Sequence, residues 1–332
     1  MVGLSGGLDS AVAALLLKER KYQVLGLSLF IHRQEDIPAA EKVAKVLGIP
    51  LETVDIREEF RKEIIDYFAR EYLRGRTPNP CVLCNPKIKF RWLEEKARER
   101  GYEFVATGHY ARIRWAGEEP FLAPARDPRK SQEYFLALLS PETLKKTLFP
   151  LGEYTKDEVR KMASLAGLPV LERDESQDVC FIQGESYNSF LEREFNLTPI
   201  PGKILSTSGR VLGTHQGFHR FTIGQRKGLG LPSGPFYVVK ITPERNEVVV
   251  GSREEALRKQ VRVSLKVWRG NPTGGFYKVR LRYRHPGAGA EVKVRKKEAM
   301  VEFETPQFAP TPGQLAVFYD EEDLVVGAGF IS

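Results

Sequence analysis

The chain is expected to be an α/β protein that turns β-rich toward its C-terminus, and three features carry that expectation. Short apolar runs alternate with amphipathic helical stretches as far as about Leu168. A glycine-rich segment, "GLSGGLDS", falls between the first such run and the first helical stretch. From about Pro199 the helical periodicity gives way to glycine, proline and short strands. The first two features describe a parallel sheet with helices on both faces; the third describes a small mixed module followed by a β-barrel or sandwich.

"MVGLS" is a short first strand, and Ser10–Lys21 is a helix with an apolar stripe of Ala11, Ala14, Leu15 and Leu17. "YQVLGLSLFI" is a buried strand, Ala39–Leu47 a helix closed by Gly48, and "LETVDI" the third strand. Glu58–Arg74 is a long amphipathic helix ended by Gly75. "TPNPCVLCNP" is expected to be non-helical, because its prolines are dense. Ile88–Arg100 returns to helix, "YEFVATGH" is a strand running into a loop, and Lys156–Ala166 is one more helix. "LERDESQDVCFIQGESY" reads as irregular. The later strands are "FYVVKIT", "EVVVGS", "VRVSLKVW", "YKVRLRYRH", "AEVKVRKK", "AMVEFE" and "LAVFYD", with no internal repeat and no low-complexity linker.

A length of 332 residues suggests two or three domains. The longest apolar run, Ala11–Leu17, is far too short to span a bilayer, so no membrane role is expected. The chain enters a structural motif at "MVGLSGG", so no signal or transit peptide is expected. Three cysteines do not make a disulfide framework, and a reducing, cytoplasmic setting follows. The net charge is +8, which favours a polyanionic partner. Arg253–Lys297 alone carries fourteen basic side chains against three acidic ones. In "YKVRLRYRH", Lys278, Arg280, Arg282 and Arg284 alternate with Val279, Leu281 and Tyr283, as on a strand with one basic face. Four neighbouring cations repel one another unless an anion such as an RNA backbone lies nearby. "FTIGQRKGLGLPSG" is a second basic, glycine-rich loop, with Gln225, Arg226 and Lys227 placed to meet phosphate or to shape the site near Cys180. His109 follows a strand at the end where open parallel sheets bind ligands.

A glycine-rich turn between a strand and a helix lets backbone N–H groups approach a phosphate, and the helix dipole adds to the attraction. "GLSGGLDS" lacks the G-K-[ST] ending of a Walker loop and the glycine spacing of a dinucleotide fingerprint. It resembles instead the S-G-G-x-D-S pyrophosphate loop of ATP pyrophosphatases, which cleave ATP between the α and β phosphates. That resemblance implies that Ser5, Ser10 and the loop amides hold pyrophosphate, and that Asp9 acts near Mg²⁺.

Cys81 and Cys84 form a C-x-x-C pair and Cys180 stands in "DVCFI". A thioredoxin-type pair would open a helix after a strand, which the proline frame of Pro80 and Pro86 argues against. A structural zinc site needs four ligands, and His109 and His215 are the few candidates for a fourth. Two chemical readings remain open: a persulfide on one cysteine released with the help of another, or three thiolates on a 4Fe–4S cluster.

At this point the motifs "GLSGGLDS", "GRTPNPCVLCN", "ATGHYAR", "SQEYFL", "CFI", "FTIGQRKGLG" and "TPGQLAVFY" together resemble the tRNA-specific 2-thiouridylases, the MnmA/TrmU family, over nearly the whole chain. The resemblance implies three parts. They are a Rossmann-like pyrophosphate-loop (PP-loop) domain over residues 1–190, a small central α+β domain over 191–262 that meets tRNA, and a C-terminal β-barrel over 263–332. It implies ATP-dependent adenylation of the 2-oxygen of a wobble uridine, followed by sulfur transfer. Gly3, Leu4, Ser5, Gly6, Gly7, Leu8, Asp9, Ser10, Leu29 and Gly108 would line the ATP site. Cys84 would be the catalytic cysteine and Cys180 the persulfide cysteine. Asn79, Pro80 and Cys81 would touch the target base, while His109, Lys130, Ser131, Gln132, Arg282, Tyr283 and Gln314 would contact tRNA. The sulfur donor is expected to be a cysteine desulfurase, a relay protein or sulfide.

Four departures from the family's common pattern stand out. Cys81 replaces the usual Asp, the segment "FIHRQEDIPAAEK" is short, Ser131 replaces an Asp, and "DESQDVCFI" differs from D-S-T-G-I-C-F-I. Cys81 gives the loop two soft thiolates, which favours a 4Fe–4S cluster on Cys81, Cys84 and Cys180 over the persulfide route. Two other functions compete. A small-molecule adenylating ligase has no use for three cysteines or the basic strand, and a non-catalytic RNA-binding protein has no use for the loop acid Asp9.

Overall fold

Five short parallel strands form the first sheet of the computed structural model, which describes residues 1–31, 36–170, 179–232, 234–269 and 274–332. The chain divides into two units, and the first comprises Met1–Ile64, Cys81–Gln177 and Tyr319–Gly327. Its strands are β1 (Val2–Gly3), β2 (Gly26–Phe30), β3 (Leu51–Asp55), β4 (Val105–Ala106) and, after the hairpin β5 (Arg112–Ala116) and β6 (Glu119–Ala123), β7 (Thr147–Leu148). The order is β3-β2-β1-β4-β7, with every pairing parallel. From β1 the chain winds outward through β2 and β3, then returns to β4 on the other side. The loops after β1 and β4 therefore flank the topological switch point, where ligands bind in open α/β sheets.

Helix α1 (Leu8–Glu19) is buried nearly all round: Ala11, Val12, Ala13 and Ala14 have no exposed surface. Alanines let it pack against both α2 (Asp36–Leu47) and the Lys156–Leu165 helix. Leu16, Leu17, Val43, Leu47, Leu151 and Val159 fill the same core, each large side chain contributing about 1.5–3 kcal/mol on burial.

Proline density does not prevent helix formation at the cysteine pair. The chain is helical over Pro80–Cys84, passes through a π turn at Asn85–Phe90, and continues as α-helix over Arg91–Glu99. Pro80 is the first helical residue, where its missing N–H costs nothing. Pro86 falls in the π turn, whose wider loop does not require the i→i−4 bond that proline cannot make. The Arg57–Phe60 and Asp66–Leu73 segments likewise flank a π turn at Arg61–Ile65. The β5–β6 hairpin was not anticipated, because Arg112–Ala116 carries charge and an exposed Trp115 rather than an apolar run. In this unit, Val325 pairs with Leu122 of β6.

The second unit comprises Ile65–Pro80, Asp178–Phe318 and Ala328–Ser332. It holds a mixed four-stranded sheet of β8 (Gly202–Ser206), β9 (Val211–His215), β10 (Tyr237–Thr242) and β11 (Glu247–Gly251), in the order β10-β11-β8-β9. Ile204, Phe221, Val238, Val248 and Val250 form its core. Six strands then close a barrel: β12 (Leu257–Trp268), β13 (Gly275–Arg280), β14 (Ala288–Arg295), β15 (Glu298–Phe308), β16 (Leu315–Tyr319) and β17 (Val325–Ile331). The order is β12-β15-β14-β13-β16-β17, and a β12–β17 pairing closes the ring. The expected three-part architecture of Rossmann-like sheet, small central module and C-terminal barrel is thus present. "YKVRLRYRH" is not one strand, however, since β13 stops at Arg280 and a turn follows. The Arg280 guanidinium donates to the carbonyls of Tyr283 and His285 and so is committed to that turn. The basic stripe reduces to Lys278, Arg282 and Arg284, all exposed. Of "LERDESQDVCFIQGESY", residues 171–178 lie outside those described.

Barrel closure rests on a glycine. A Cβ on Gly329 would fall 2.4 Å from the Ser264 carbonyl oxygen and 2.7 Å from the Leu265 Cα. Gly329→Val is therefore expected to lower stability by about 1–3 kcal/mol, read as a lower midpoint in urea unfolding monitored by circular dichroism.

Candidate active site

The segment Leu4–Gly7 turns from β1 into α1, and two glycines make the turn possible. Gly6 has φ +74°, and a Cβ there would lie 2.4 Å from that of Ala39. Gly7 is the N-cap of α1 in extended conformation, and no side chain caps the helix. The free N–H groups of the first turn and the positive end of the dipole thus remain for an anion. Ser10 is buried and ties the loop together. Its hydroxyl donates to the Gly7 carbonyl at 3.0 Å, accepts from the Ser5 N–H at 3.2 Å, and lies 3.2 Å from the Ser5 hydroxyl. Across the switch point, the Gly108 backbone meets the same turn: a Cβ there would be 2.6 Å from the Asp9 carbonyl carbon and 2.7 Å from the Ser10 nitrogen. Leu29 is half-buried near the C-terminal end of β2.

Asp9 anchors a ring of polar contacts. Its carboxylate accepts from the Lys156 ammonium at 2.7 and 2.9 Å and from the Tyr110 hydroxyl at 2.8 Å. A magnesium ion has a suitable hard oxygen here, already engaged by an ammonium. Lys156 opens the Lys156–Leu165 helix, and its N–H donates to the Asp127 carboxylate at 3.3 Å. Burial raises the Asp127 pKa, but the N–H groups of Lys156 and Arg129 and the Arg129 charge outweigh it and hold the carboxyl below its ordinary value. Gln132 pairs with Tyr110 twice: its Oε1 accepts from the Tyr110 N–H at 2.9 Å, and its own N–H donates to the Tyr110 carbonyl at 2.7 Å. Lys130 donates its N–H to the Asp127 carbonyl at 3.1 Å. Ser131 is buried, accepts from the Ala125 N–H at 2.8 Å, and donates to Glu133. The Lys130–Gln132 triplet and the loop acid Asp9 are thereby joined through Tyr110 and Lys156.

Cys81 and Cys84, three residues apart on the Pro80–Cys84 helix, share one face. The pair therefore opens a helix, contrary to the proline argument, but irregular chain rather than a strand precedes it. Burial pushes the Cys81 thiol up, with Lys89 partly offsetting it. Cys84 is buried and Cys180, in the second unit, is exposed; no disulfide joins them. Among the described residues, no three His, Cys, Asp or Glu side chains gather where they could hold a metal ion. Two of the three expected cluster ligands therefore share one helical turn. His109 stacks on Phe90 at 6.3 Å and lies edge-on to Phe149 at 6.4 Å, while its Nδ1 is 2.8 Å from the Thr107 hydroxyl.

In the second unit, Thr77 is held three ways: its N–H donates to the Pro312 carbonyl at 2.9 Å, its carbonyl accepts from Gln314 Nε2 at 2.8 Å, and its hydroxyl donates to Thr222 at 3.2 Å. The "TPNP", "FTIGQ" and "TPGQ" motifs therefore converge at one residue, and Gln314 positions the chain two residues before Asn79. Arg282 and Tyr283 stand in the turn after β13, the former exposed and the latter half-buried. Sequence reasoning did not single out Lys156, Tyr110, Lys89 or Asp127. Lys156 left a readable sign, a cation at the first helical position directly after the capping threonine of "TKDE".

Two outcomes are expected. Gly108→Ala should displace the first turn of α1 and weaken ATP binding at least about 10-fold, with far-UV dichroism unchanged. Burial, and secondarily Lys89, lowers the His109 pKa from 6.5 to about 3. Between those values the unfolded chain takes up a proton that the folded one refuses, so stability falls as pH drops through that window. His109→Gln should shrink the fall in melting temperature between pH 7 and pH 5.

Residues 1–184 match the family described as "tRNA methyl transferase HUP domain", 188–252 "tRNA methyl transferase PRC-barrel domain", and 258–331 "Aminomethyltransferase beta-barrel domain". A tRNA-specific 2-thiouridylase MnmA from Moorella thermoacetica is 44% identical, with 100% of this chain and 98% of that one covered. One from Lachnoclostridium phytofermentans is 41% identical, at 100% and 98% coverage. Among solved structures, the U34-tRNA thiolase NcsA from Methanococcus maripaludis with its 4Fe–4S cluster is 22% identical over 59% of this chain and 63% of its own, with a TM-score of 0.36. Full-length identity above 40% to several relatives and the matched three-part architecture place the chain in the MnmA family of tRNA-specific 2-thiouridylases.

Proposed function

We propose that this chain is an ATP-dependent tRNA 2-thiouridylase. One observation carries the reading: a single unit holds both an uncapped glycine loop at a sheet switch point and a helix that opens on two thiols. The loop suits a nucleotide polyphosphate and the thiols suit sulfur transfer. The thiols side with the thiouridylase names of the relatives rather than the methyl transferase wording of the domain families. The uridine 2-oxygen attacks the α-phosphorus of ATP, pyrophosphate leaves, and the base gives up its N3 proton. A carbonyl oxygen, a poor leaving group, thereby becomes AMP, a good one. The RNA partner is a tRNA, contacted at its target uridine by Asn79, Pro80 and Cys81 and elsewhere by His109, the Lys130–Gln132 triplet, Arg282, Tyr283 and Gln314. The setting is cytoplasmic, and Mg²⁺ accompanies ATP.

For the sulfur step, exposure of Cys180 favours a persulfide carrier, since the persulfide of a donor protein must reach it to pass on its outer sulfur and leave as the donor's thiolate. The terminal persulfide sulfur attacks C2 and AMP departs with the former 2-oxygen. The Cys84 thiolate then attacks the Cys180 sulfur, releasing 2-thiouridine and leaving a Cys84–Cys180 disulfide, which a thiol reductant reopens. A second reading rests on the placement of Cys81 beside Cys84 on one helical turn. Cys81, Cys84 and Cys180 would then be the three-thiolate ligand set of a 4Fe–4S cluster, which would leave one iron to present sulfide.

Thiolation of a tRNA transcript, assayed anaerobically with ATP and, in separate reactions, sulfide or a cysteine desulfurase charged with persulfide, should require ATP and fall at least about 100-fold in Cys84→Ser and Cys180→Ser. Cys81→Asp separates the readings. Activity kept within about 10-fold in an iron-free protein supports the persulfide. Joint loss of activity, iron and absorbance near 400 nm supports the cluster. Wild-type rates in both serine variants would sink the proposal.

A further inference from the structure

Lys156 is in an electrostatically poor place. It is 7% exposed, so its ammonium has lost most of its water. It is also the first residue of a ten-residue helix, where the dipole repels a cation, and the acids usual at that end, Asp157 and Glu158, follow it. Neither cost serves the helix, whose N-terminus is already closed by the Thr155–Glu158 capping box. Asp9 compensates the ammonium, yet the Asp9 side chain is itself 37% exposed and already open to water. Local rules are broken in this way where function requires it. Because Asp9 is the second residue of α1, the ammonium stands at the N-terminus of α1, beside the glycine loop.

We propose that Lys156 is a nucleotide-phosphate ligand held on Asp9 until ATP arrives. The ammonium passes from the Asp9 carboxylate to the β,γ-phosphate oxygens, and Asp9 is released to take the magnesium that accompanies them. Tyr110 keeps its hydrogen bond to Asp9 and preserves the carboxylate's orientation through the exchange. No covalent bond changes; the exchange replaces one charge pair by two. The proposal rests on the nucleotide reading of the loop and not on the fate of the uridine.

The test is calorimetric titration of the full chain with α,β-methylene-ATP, which cannot be cleaved at the α–β linkage, and with AMP, which lacks the phosphates that Lys156 would meet. Lys156→Met should weaken the analogue about 10- to 100-fold, the range for losing a charge-assisted contact to phosphate. AMP affinity should stay within about 3-fold, and Lys156→Arg should recover part of the loss. Magnesium should still tighten the analogue in Lys156→Met and should cease to do so in Asp9→Asn. Equal weakening of analogue and AMP would show that Lys156 only braces the fold and would overturn the proposal, as would unchanged analogue affinity. Wild-type protein that binds neither ligand would overturn the nucleotide reading itself, whereas a protein that binds both but leaves tRNA unmodified would strike only the thiolase reading.

Discussion

The site is organised by a contact between two stretches of backbone. Gly108, in the loop just after β4, lies so close to Asp9 and Ser10 that no side chain fits between them. This contact sets the distance between the two loops of the switch point, and each neighbouring feature inherits it. It fixes the first turn of α1 against the sheet, and with it the direction of the uncapped N–H groups. It also fixes where the Tyr110 hydroxyl, two residues after Gly108, reaches Asp9. Packing against backbone is stiffer than packing against a side chain, because no rotamer can relieve it.

The polar ring around Asp9 depends on that geometry. A buried ammonium beside a carboxylate gains only if their distance and orientation are held, since the ammonium has surrendered most of its solvation. Tyr110, Asp127 and the Thr155–Glu158 box supply the holding from three different segments. The Lys130–Gln132 triplet belongs to the same assembly through the double pairing of Gln132 with Tyr110. Changes in these residues will accordingly not add independently, because each is a partner's support.

Legibility in the sequence followed the range of the interactions. The glycine loop was readable because its geometry is local: a strand, a tight turn and a helix within ten residues. The alternation of strands and helices to Leu168 was readable for the same reason. The helix at Pro80–Cys84 was not, because proline rules describe regular α-helix and a π turn escapes them at Pro86. The basic strand was misread past Arg280, where alternation persisted in burial although the strand had ended and Arg280 had turned to its own carbonyls. Lys156 and Asp9 are separated by 147 positions and meet only because the sheet places their helices side by side. Nothing in a local pattern marks such a pair, apart from a cation where a helix would prefer an acid.

The π turn at Asn85–Phe90 also sets the phase of the helix that bears the thiols. A π turn is one residue inserted into a helix that does not otherwise lengthen, and each residue of an α-helix advances it by about 100°. The packed face after the turn, with Leu93 and Ala97, is therefore rotated by about that angle relative to the face that carries Cys81 and Cys84. Deletion of Pro86, the residue that ordinary helix excludes, would restore the regular phase and leave every other residue identity around it intact. It would also turn both thiols about a quarter of the way round the axis. At this point the spacing of the chain matters as much as its chemistry.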